Sequence, residues 1–525
     1  MSHKIYPIGI QNFEKIRNDG YFYIDKTALM YQMVKTGSYY FLSRPRRFGK
    51  SLLVSTLEAY FQGKKELFEG LAVEKLEKDW IKYPILHLDL NIEKYDTSES
   101  LDNILDKSLT AWEKLYGAEP SERSFSLRFA GIIERACKLA GQRVVILVDE
   151  YDKPMLQAIG NEELQKQFRN TLKPFYGALK TMDGCIKFAF LTGVTKFGKV
   201  SVFSDLNNLD DISMWNEYVE ICGISEREIH NNLETELHEF AAARGITYDK
   251  LCEELRECYD GYHFTHNSIG MYNPFSLLNA FKRKDFGSYW FETGTPTYLV
   301  RLLSHFRENM NELTGKYYRP EEFVDYKADM EQPLPMIYQS GYLTIKDYDM
   351  DFNTFLLDFP NNEVKNGFLT VLATSYLKPS EETGGWIREV VRTLRAGNPE
   401  KLCTLFTSFL AGIPYTMRRK EDEAERERYF QYTFYLIMRL VSVYTVYVEK
   451  VQSQGRVDCI VETPEYVYIF EFKLDGTASD ALRQIEEKGY AREYASDSRK
   501  LYRIGAVFSS ETGTIGEWKA VCSDK

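Results

Sequence analysis

Apolar residues along this chain fall into short unbroken runs, alternating stretches and periodic stretches, and each pattern predicts a different element. Val144, Val145, Ile146, Leu147 and Val148 are consecutive and run directly into Asp149 and Glu150. A run of that kind suits a strand buried on both faces of a parallel sheet. Residues 39–42 and 186–191 read as strands too, the second ending in Thr192. Period-two alternation over 456–462 and 467–473, interrupted by Thr463, Pro464, Glu465 and Tyr466, predicts a hairpin. In the middle of the chain 218–223 is strand-like, Ser225 with Glu228 forms a capping box before a helical pattern, and further helical stretches surround 259–264 and 272–276. Residues 341–345 and 354–359 read as two strands around a polar turn. Near the end, Phe430, Phe434, Met438 and Val441 recur at spacings of three or four, which predicts a helix over about 422–446.

With 525 residues the chain exceeds what one core supports, so two to four domains are expected. Hydrophobic residues make up 44%, enough for globular packing. No run approaches the ~18 apolar residues of a membrane span, and the first residues lack the apolar stretch of a signal peptide. These features predict a cytoplasmic protein without a membrane partner. Eight scattered cysteines with no C-x-x-C pair point to reduced thiols, and His263 and His266, without a partner cysteine, to structural roles. A net charge of −11 excludes a globally basic nucleic-acid binder and still permits a local basic cleft.

The first candidate chemistry follows the strand at 39–42. Arg44, Pro45, Arg46, Arg47, Phe48, Gly49, Lys50 and Ser51 form a basic loop whose Gly-Lys-Ser ending opens a helix. A phosphate-binding loop needs inward N–H groups at a helix N-terminus, a lysine for the outer phosphates and a hydroxyl for Mg²⁺. The first glycine of the usual pattern is replaced by Arg44. By itself the loop fits a basic helix cap equally well. Asp149 and Glu150, emerging at the C-terminal edge of their strand, suit an Mg²⁺ ligand and a residue that polarises water. Thr192 lies at the end of its strand on the same edge.

These phrases, with Phe22-Tyr23-Ile24-Asp25-Lys26-Thr27 and Asp149-Glu150-Tyr151-Asp152-Lys153-Pro154, make the segment from Tyr6 to about Asp211 resemble the AAA-ATPase-like family of bacterial proteins. In that family an arginine-rich loop replaces the first glycine, so Arg44 is what the resemblance implies. It also implies an ATP-binding domain in which loop residues 44–51 and Asp149 hold ATP and Mg²⁺, and in which Glu150 and Thr192 serve hydrolysis.

The second chemistry lies in the hairpin. A turn centred on Pro464 and Glu465 sets Asp458 opposite Glu471, and Glu471 shares its face with Lys473 two residues on. Two adjacent carboxylates repel unless a cation sits between them, so a divalent metal is the natural occupant. Lys473 would then orient or deprotonate water, or stabilise charge on a phosphate. A cross-strand salt bridge is the plainer alternative. Glu427 continues the apolar stripe of the upstream helix, although the surrounding charge run reads more simply as a solvated helix start.

Glu on a helix, then Asp and Glu-x-Lys on the following strands, resembles PD-(D/E)XK nucleases, and 427–494 resembles the nuclease-like domain that follows ATPase domains of this kind. The resemblance implies Asp458 and Glu471 as metal ligands, Lys473 as catalytic lysine, Glu427 as the helix glutamate and Gln484 as a polar residue near the site. The expected fold is α/β throughout: a P-loop NTPase with a parallel sheet over 1–224, a helical lid and winged-helix region over 225–365, and a PD-(D/E)XK nuclease-like domain over 366–525. The expected function is an ATP-driven, Mg²⁺-dependent enzyme acting on nucleic acid, DNA foremost, with homo-oligomerisation left open. The alternative is a signalling ATPase whose last domain only binds nucleic acid or protein.

Overall fold

The computed structural model describes residues 4–196, 208–292, 313–324, 333–368, 383–412, 434, 438, 445–452 and 455–523. By its internal contacts the chain divides into two units, Met1–Lys365 and Asn366–Lys525.

In the first unit, strands β1 (Tyr39–Ser43), β2 (Ile85–Asp89), β3 (Val144–Asp149), β4 (Ile186–Gly193) and β5 (Asp210–Asp211) form one parallel sheet in the order β2-β3-β4-β1-β5. Every residue of β3 is buried, because helices cover both faces: Lys50–Phe61 packs on one side and Phe125–Ala140 on the other. The latter helix joins Ser98–Tyr116 and Glu162–Thr181, with Phe129 stacked on Phe175 at 4.4 Å. Strand β4 stands between the loop-bearing β1 and the acidic β3, with Leu42 opposite Thr192 and Asp89 opposite Asp149. The loop, the acids and the strand-ending threonine therefore gather at one sheet edge.

Residues 218–223, expected as a strand, are instead a 3₁₀ turn over Asn216–Ile221, after which β6 (Ile224–Ser225) pairs with β7 (Met271–Tyr272). A short apolar run buries its side chains in either conformation, and here Tyr218, Val219 and Ile221 do so from a turn. The capping box forms as read: Ser225 and Glu228 cap the helix Glu226–Arg244. That helix packs with Tyr248–Tyr259 and Pro274–Arg283 around Leu233, Leu237, Phe240, Leu251, Leu255 and Leu277. Tyr6, Ile8, Phe22 and Ile24 lean on the same core. An antiparallel sheet follows, ordered β8 (Lys316–Tyr318), β10 (Thr354–Asp358), β9 (Thr344–Asp349).

The second unit is a mixed sheet in sequence order, β11 (Thr445–Gln452), β12 (Gly455–Glu462), β13 (Tyr466–Leu474), β14 (Lys500–Phe508) and β15 (Ile515–Ser523). Only β13 and β14 run parallel, joined by a crossover that contains the helix Ala478–Glu487. One face of the sheet, with Phe470 and Phe472, packs on the helices Thr383–Arg395 and Pro399–Ala411. The other, with Ile460 and Ile469, packs on Ile485 and Tyr490. The helix expected to reach residue 446 yields to β11, because 445–452 completes the ladder along β12. Among the described residues no helix is long and apolar enough to cross a membrane, and all eight cysteines are free thiols.

Candidate nucleotide and metal sites

Gly49 adopts φ +97°, in the left-handed region that glycine tolerates, and the chain then turns straight into the helix Lys50–Phe61. The turn aims the unpaired N–H groups of the first helical residues at a cavity of about 440 Å³. Arg46, Arg47, Gly49, Lys50 and Ser51 line it, with Glu150, Lys153 and Asn91 from the acidic edge, Trp290 and Phe275 from the helical part, and the turn Pro7–Gln11. The Lys50 ammonium, almost wholly buried, donates to the carbonyls of Arg44 (3.0 Å) and Pro45 (3.3 Å) and lies 3.9 Å from Glu150. Glu150 itself has φ +52°, an uncommon conformation for this residue, which ends β3 in a tight turn.

Asp149 sits near Ser51, whose side chain favours its charged form. Burial, followed by the charge of Glu150, raises the Asp149 carboxyl to about 6. A cation beside it would relieve that penalty, so Ser51 and Asp149 fit an Mg²⁺ ion and the cavity fits a nucleotide phosphate chain.

Three loop residues do not line the cavity. Arg44 is buried: its guanidinium donates to the carbonyls of Ser43 (2.9 Å), Ser213 (2.7 Å) and Tyr218 (3.2 Å) and stacks over Phe264 at 4.0 Å. Phe48 packs against Tyr262 and Phe264, and Pro45 lies against the Cα of Gly341. Their contribution to the cavity is the loop's shape. Thr192 requires a correction as well. It is fully buried, and its hydroxyl donates to the Leu42 carbonyl at 2.8 Å, tying β4 to β1 instead of facing the cavity.

Sequence reasoning missed Asp89, Asn91, Lys153 and Trp290. Asp89 carried the signal used for Asp149, an acid ending an apolar-rich strand. Trp290 carried none, since the Arg46 carbonyl that its indole meets at 3.1 Å lies 244 positions away.

In the second unit the ladder pairs Cys459 with Phe470 and Ile460 with Ile469, so the next pair outward is Asp458 with Glu471. Asp458 Oδ2 accepts the Phe472 N–H at 2.8 Å, which holds the carboxylate against β13. Glu471 is buried, and its Oε2 has no hydrogen-bond partner among the described residues. Gln484 bridges the remaining groups: its amide donates to Glu471 Oε1, and its Oε1 accepts the Lys473 ammonium at 2.6 Å. Lys473 stands 3.7 Å from Glu471. Burial first, and then the Asp458 charge, raise the Glu471 carboxyl, against the pull of Lys473. A buried carboxylate oxygen without a partner, beside a second acid, fits a divalent cation. No group of three or more His, Cys, Asp or Glu with metal-holding geometry occurs among the described residues, and Glu427 lies outside them.

Comparison with known proteins finds two family models that match this chain. Residues 7–203 match the family model described as Predicted AAA-ATPase, and 425–518 match that of the PD-(D/E)XK nuclease superfamily. A protein of Azotobacter chroococcum mcd 1, named only as an uncharacterized protein in the vnfD 5' region, is 36% identical over 521 residues, 98% of either chain. Among solved structures, the Aeropyrum pernix ORC2 protein, in ADPNP and ADP complexes, matches 66% of this chain and 93% of its own at 8% identity and a TM-score of 0.17. With its loop, acidic edge and paired hairpin acids all within matched segments, the chain belongs to the family of AAA-ATPase-like proteins that carry a PD-(D/E)XK nuclease-superfamily domain.

Proposed function

We propose that this protein binds and hydrolyses ATP, and that this turnover governs a Mg²⁺-dependent nuclease unit acting on nucleic acid, DNA foremost. The observation that carries the reading is the buried Glu471 carboxylate, one oxygen of which lacks a partner among the described residues, set opposite Asp458 with Lys473 at hand. In the first unit Lys50 would reach the outer phosphates, Ser51 and Asp149 would hold Mg²⁺, and Glu150 would polarise the attacking water. In the hairpin Asp458 and Glu471 would hold the metal, and Lys473, which donates to Gln484, would orient water against the scissile phosphate. Bound Mg²⁺ supplies charge neutralisation at the phosphates and lowers the pKa of water.

A second reading, a signalling ATPase whose last domain binds without cutting, draws support from the net charge of −11 and the lack of a clear basic tract in the sequence. Incubating the pure full-length protein with linear and circular DNA and with RNA, with and without ATP and Mg²⁺, separates the two. Fragmentation that requires Mg²⁺ supports the nuclease. Intact nucleic acid under every condition, alongside ATP turnover, favours the second reading.

A further inference from the structure

Asp152 is fully buried, three residues beyond the end of β3. It directly precedes the short helix Lys153–Gln157, where an acid ordinarily caps its own helix, yet its side chain makes no such cap. Its Oδ2 instead accepts the N–H groups of Val194 (3.0 Å) and Thr195 (2.6 Å) and the Thr195 hydroxyl (2.8 Å), just past the end of β4. Three donors on one charged oxygen offset the cost of burying it and fix where it stands. Tyr151 reinforces the same link: its N–H donates to the Thr192 carbonyl at 3.1 Å and its hydroxyl to the Thr195 carbonyl at 2.7 Å.

The segment so held also borders the phosphate loop. Gly193 pairs with Ser43 at the end of β1, and its carbonyl accepts the Arg44 N–H at 3.3 Å. A Cβ at Gly193 would stand 2.7 Å from the Tyr151 ring and closer still to Asp152 Oδ1, so both side chains rest against the bare glycine. Residues 193–195 therefore bridge the first residue of the loop and the turn that follows β3. Glu150 lies in that turn at φ +52°, a conformation that persists only where its surroundings over-determine it. The next two residues, Tyr151 and Asp152, supply that constraint.

Resting on the nucleotide reading above, we infer that Asp152 is a positioning residue for ATP hydrolysis: by holding the Val194–Thr195 backbone it fixes the turn that carries Glu150, and so sets the place of Glu150 relative to the phosphate loop. It touches neither nucleotide nor water and acts through Glu150 alone. Binding of ADP makes little use of it, because the residue it positions serves the hydrolytic step.

The test uses the full-length protein, with calorimetric ADP binding and single-turnover ATP hydrolysis expressed per ADP-binding site, so that unfolded molecules do not count. Asp152→Ala is expected to lower the rate on the order of 10²-fold while changing the ADP Kd by less than about fivefold. Asp152→Asn keeps an acceptor for the two N–H groups and should stay within about tenfold of wild type. Gly193→Ala displaces the carboxylate without removing it, and carries the same expectation as Asp152→Ala should that variant not fold. The deciding measurement is the double variant of Glu150→Gln with Asp152→Ala, which should be no slower than Glu150→Gln alone. Losses that multiply would show Asp152 acting independently of Glu150 and overturn the inference. An unchanged rate per site at a lowered melting temperature would make Asp152 a purely structural residue, and equal loss of ADP affinity and rate would make it a support of the whole cavity; either result overturns the inference. Wild type that neither binds ADP nor hydrolyses ATP overturns the nucleotide reading instead, a result visible before any variant is made.

Discussion

The Lys50 ammonium stands 3.9 Å from the Glu150 carboxylate, in one corner of the cavity. In the proposed roles, the cation for the outer phosphates and the residue that acts on water are therefore neighbours with separable duties. Lys50→Ala is expected to weaken ATP binding and abolish turnover. Glu150→Gln keeps the shape but not the basicity, so it should retain ATP while slowing turnover on the order of 10²- to 10⁴-fold. Equilibrium binding of a fluorescent ATP analogue beside a phosphate-release assay distinguishes them, and parallel loss of binding in both would contradict these roles.

Arg44 should behave as a structural residue despite its place in the phosphate loop. Arg44→Ala leaves the Ser213 and Tyr218 carbonyls without their buried donor and opens space beside Phe264. A cost of about 3 kcal/mol or more is expected, read as a fall in the first unfolding transition on thermal denaturation. Arg46→Ala should leave that transition nearly unmoved.

The hairpin acids and Lys473 separate metal binding from cleavage. Asp458→Ala and Glu471→Ala should each remove Mn²⁺ binding at the hairpin together with any cutting, while ATP hydrolysis continues. Lys473→Ala should still bind metal and fail to cut, because its ammonium is no metal ligand. Metal titration calorimetry paired with a nuclease assay reads both outcomes, and a Lys473→Ala protein that cuts normally would remove the lysine from the chemistry.

The Glu471 carboxyl is raised to about 8, against about 4.3 in an unfolded chain. The folded state thus holds this proton more tightly. The stability that the group contributes is complete below about pH 4.3 and is lost as pH rises through about 8. Metal requires the carboxylate, so Mn²⁺ binding near pH 7 should release close to one proton, falling toward none above about pH 9. Calorimetry in two buffers of different ionisation heat measures that release, and Glu471→Gln should abolish it.

Thr192→Val removes the hydroxyl that ties β4 to the Leu42 carbonyl. The expected cost is about 1–3 kcal/mol of stability, with ATP turnover per folded molecule unchanged. A selective fall in turnover at unchanged melting temperature would return Thr192 to the reaction.

Much of this protein was legible because two of its elements are specified locally. A strand sandwiched between helices must be apolar on both faces, so Val144 to Val148 announced β3 and put Asp149 at its edge. A hairpin's register follows from where its turn falls, so Pro464 and Glu465 were enough to set Asp458 against Glu471. The Ser225–Glu228 cap likewise involves neighbours three residues apart.

What the sequence could not settle depends on partners far along the chain. Residues 445–452 form a strand because β12 offers a ladder, a gain that no local helical pattern records. Arg44 and Arg46 are two positions apart and look alike in sequence. Ser213 and Tyr218, 169 and 174 positions further on, draw one into the core, and Trp290, 244 positions from Arg46, holds the backbone of the other at the cavity. Local order determined that a basic loop precedes a helix. Only the packing of distant carbonyls and rings decided which of its arginines is buried and which lines the cavity.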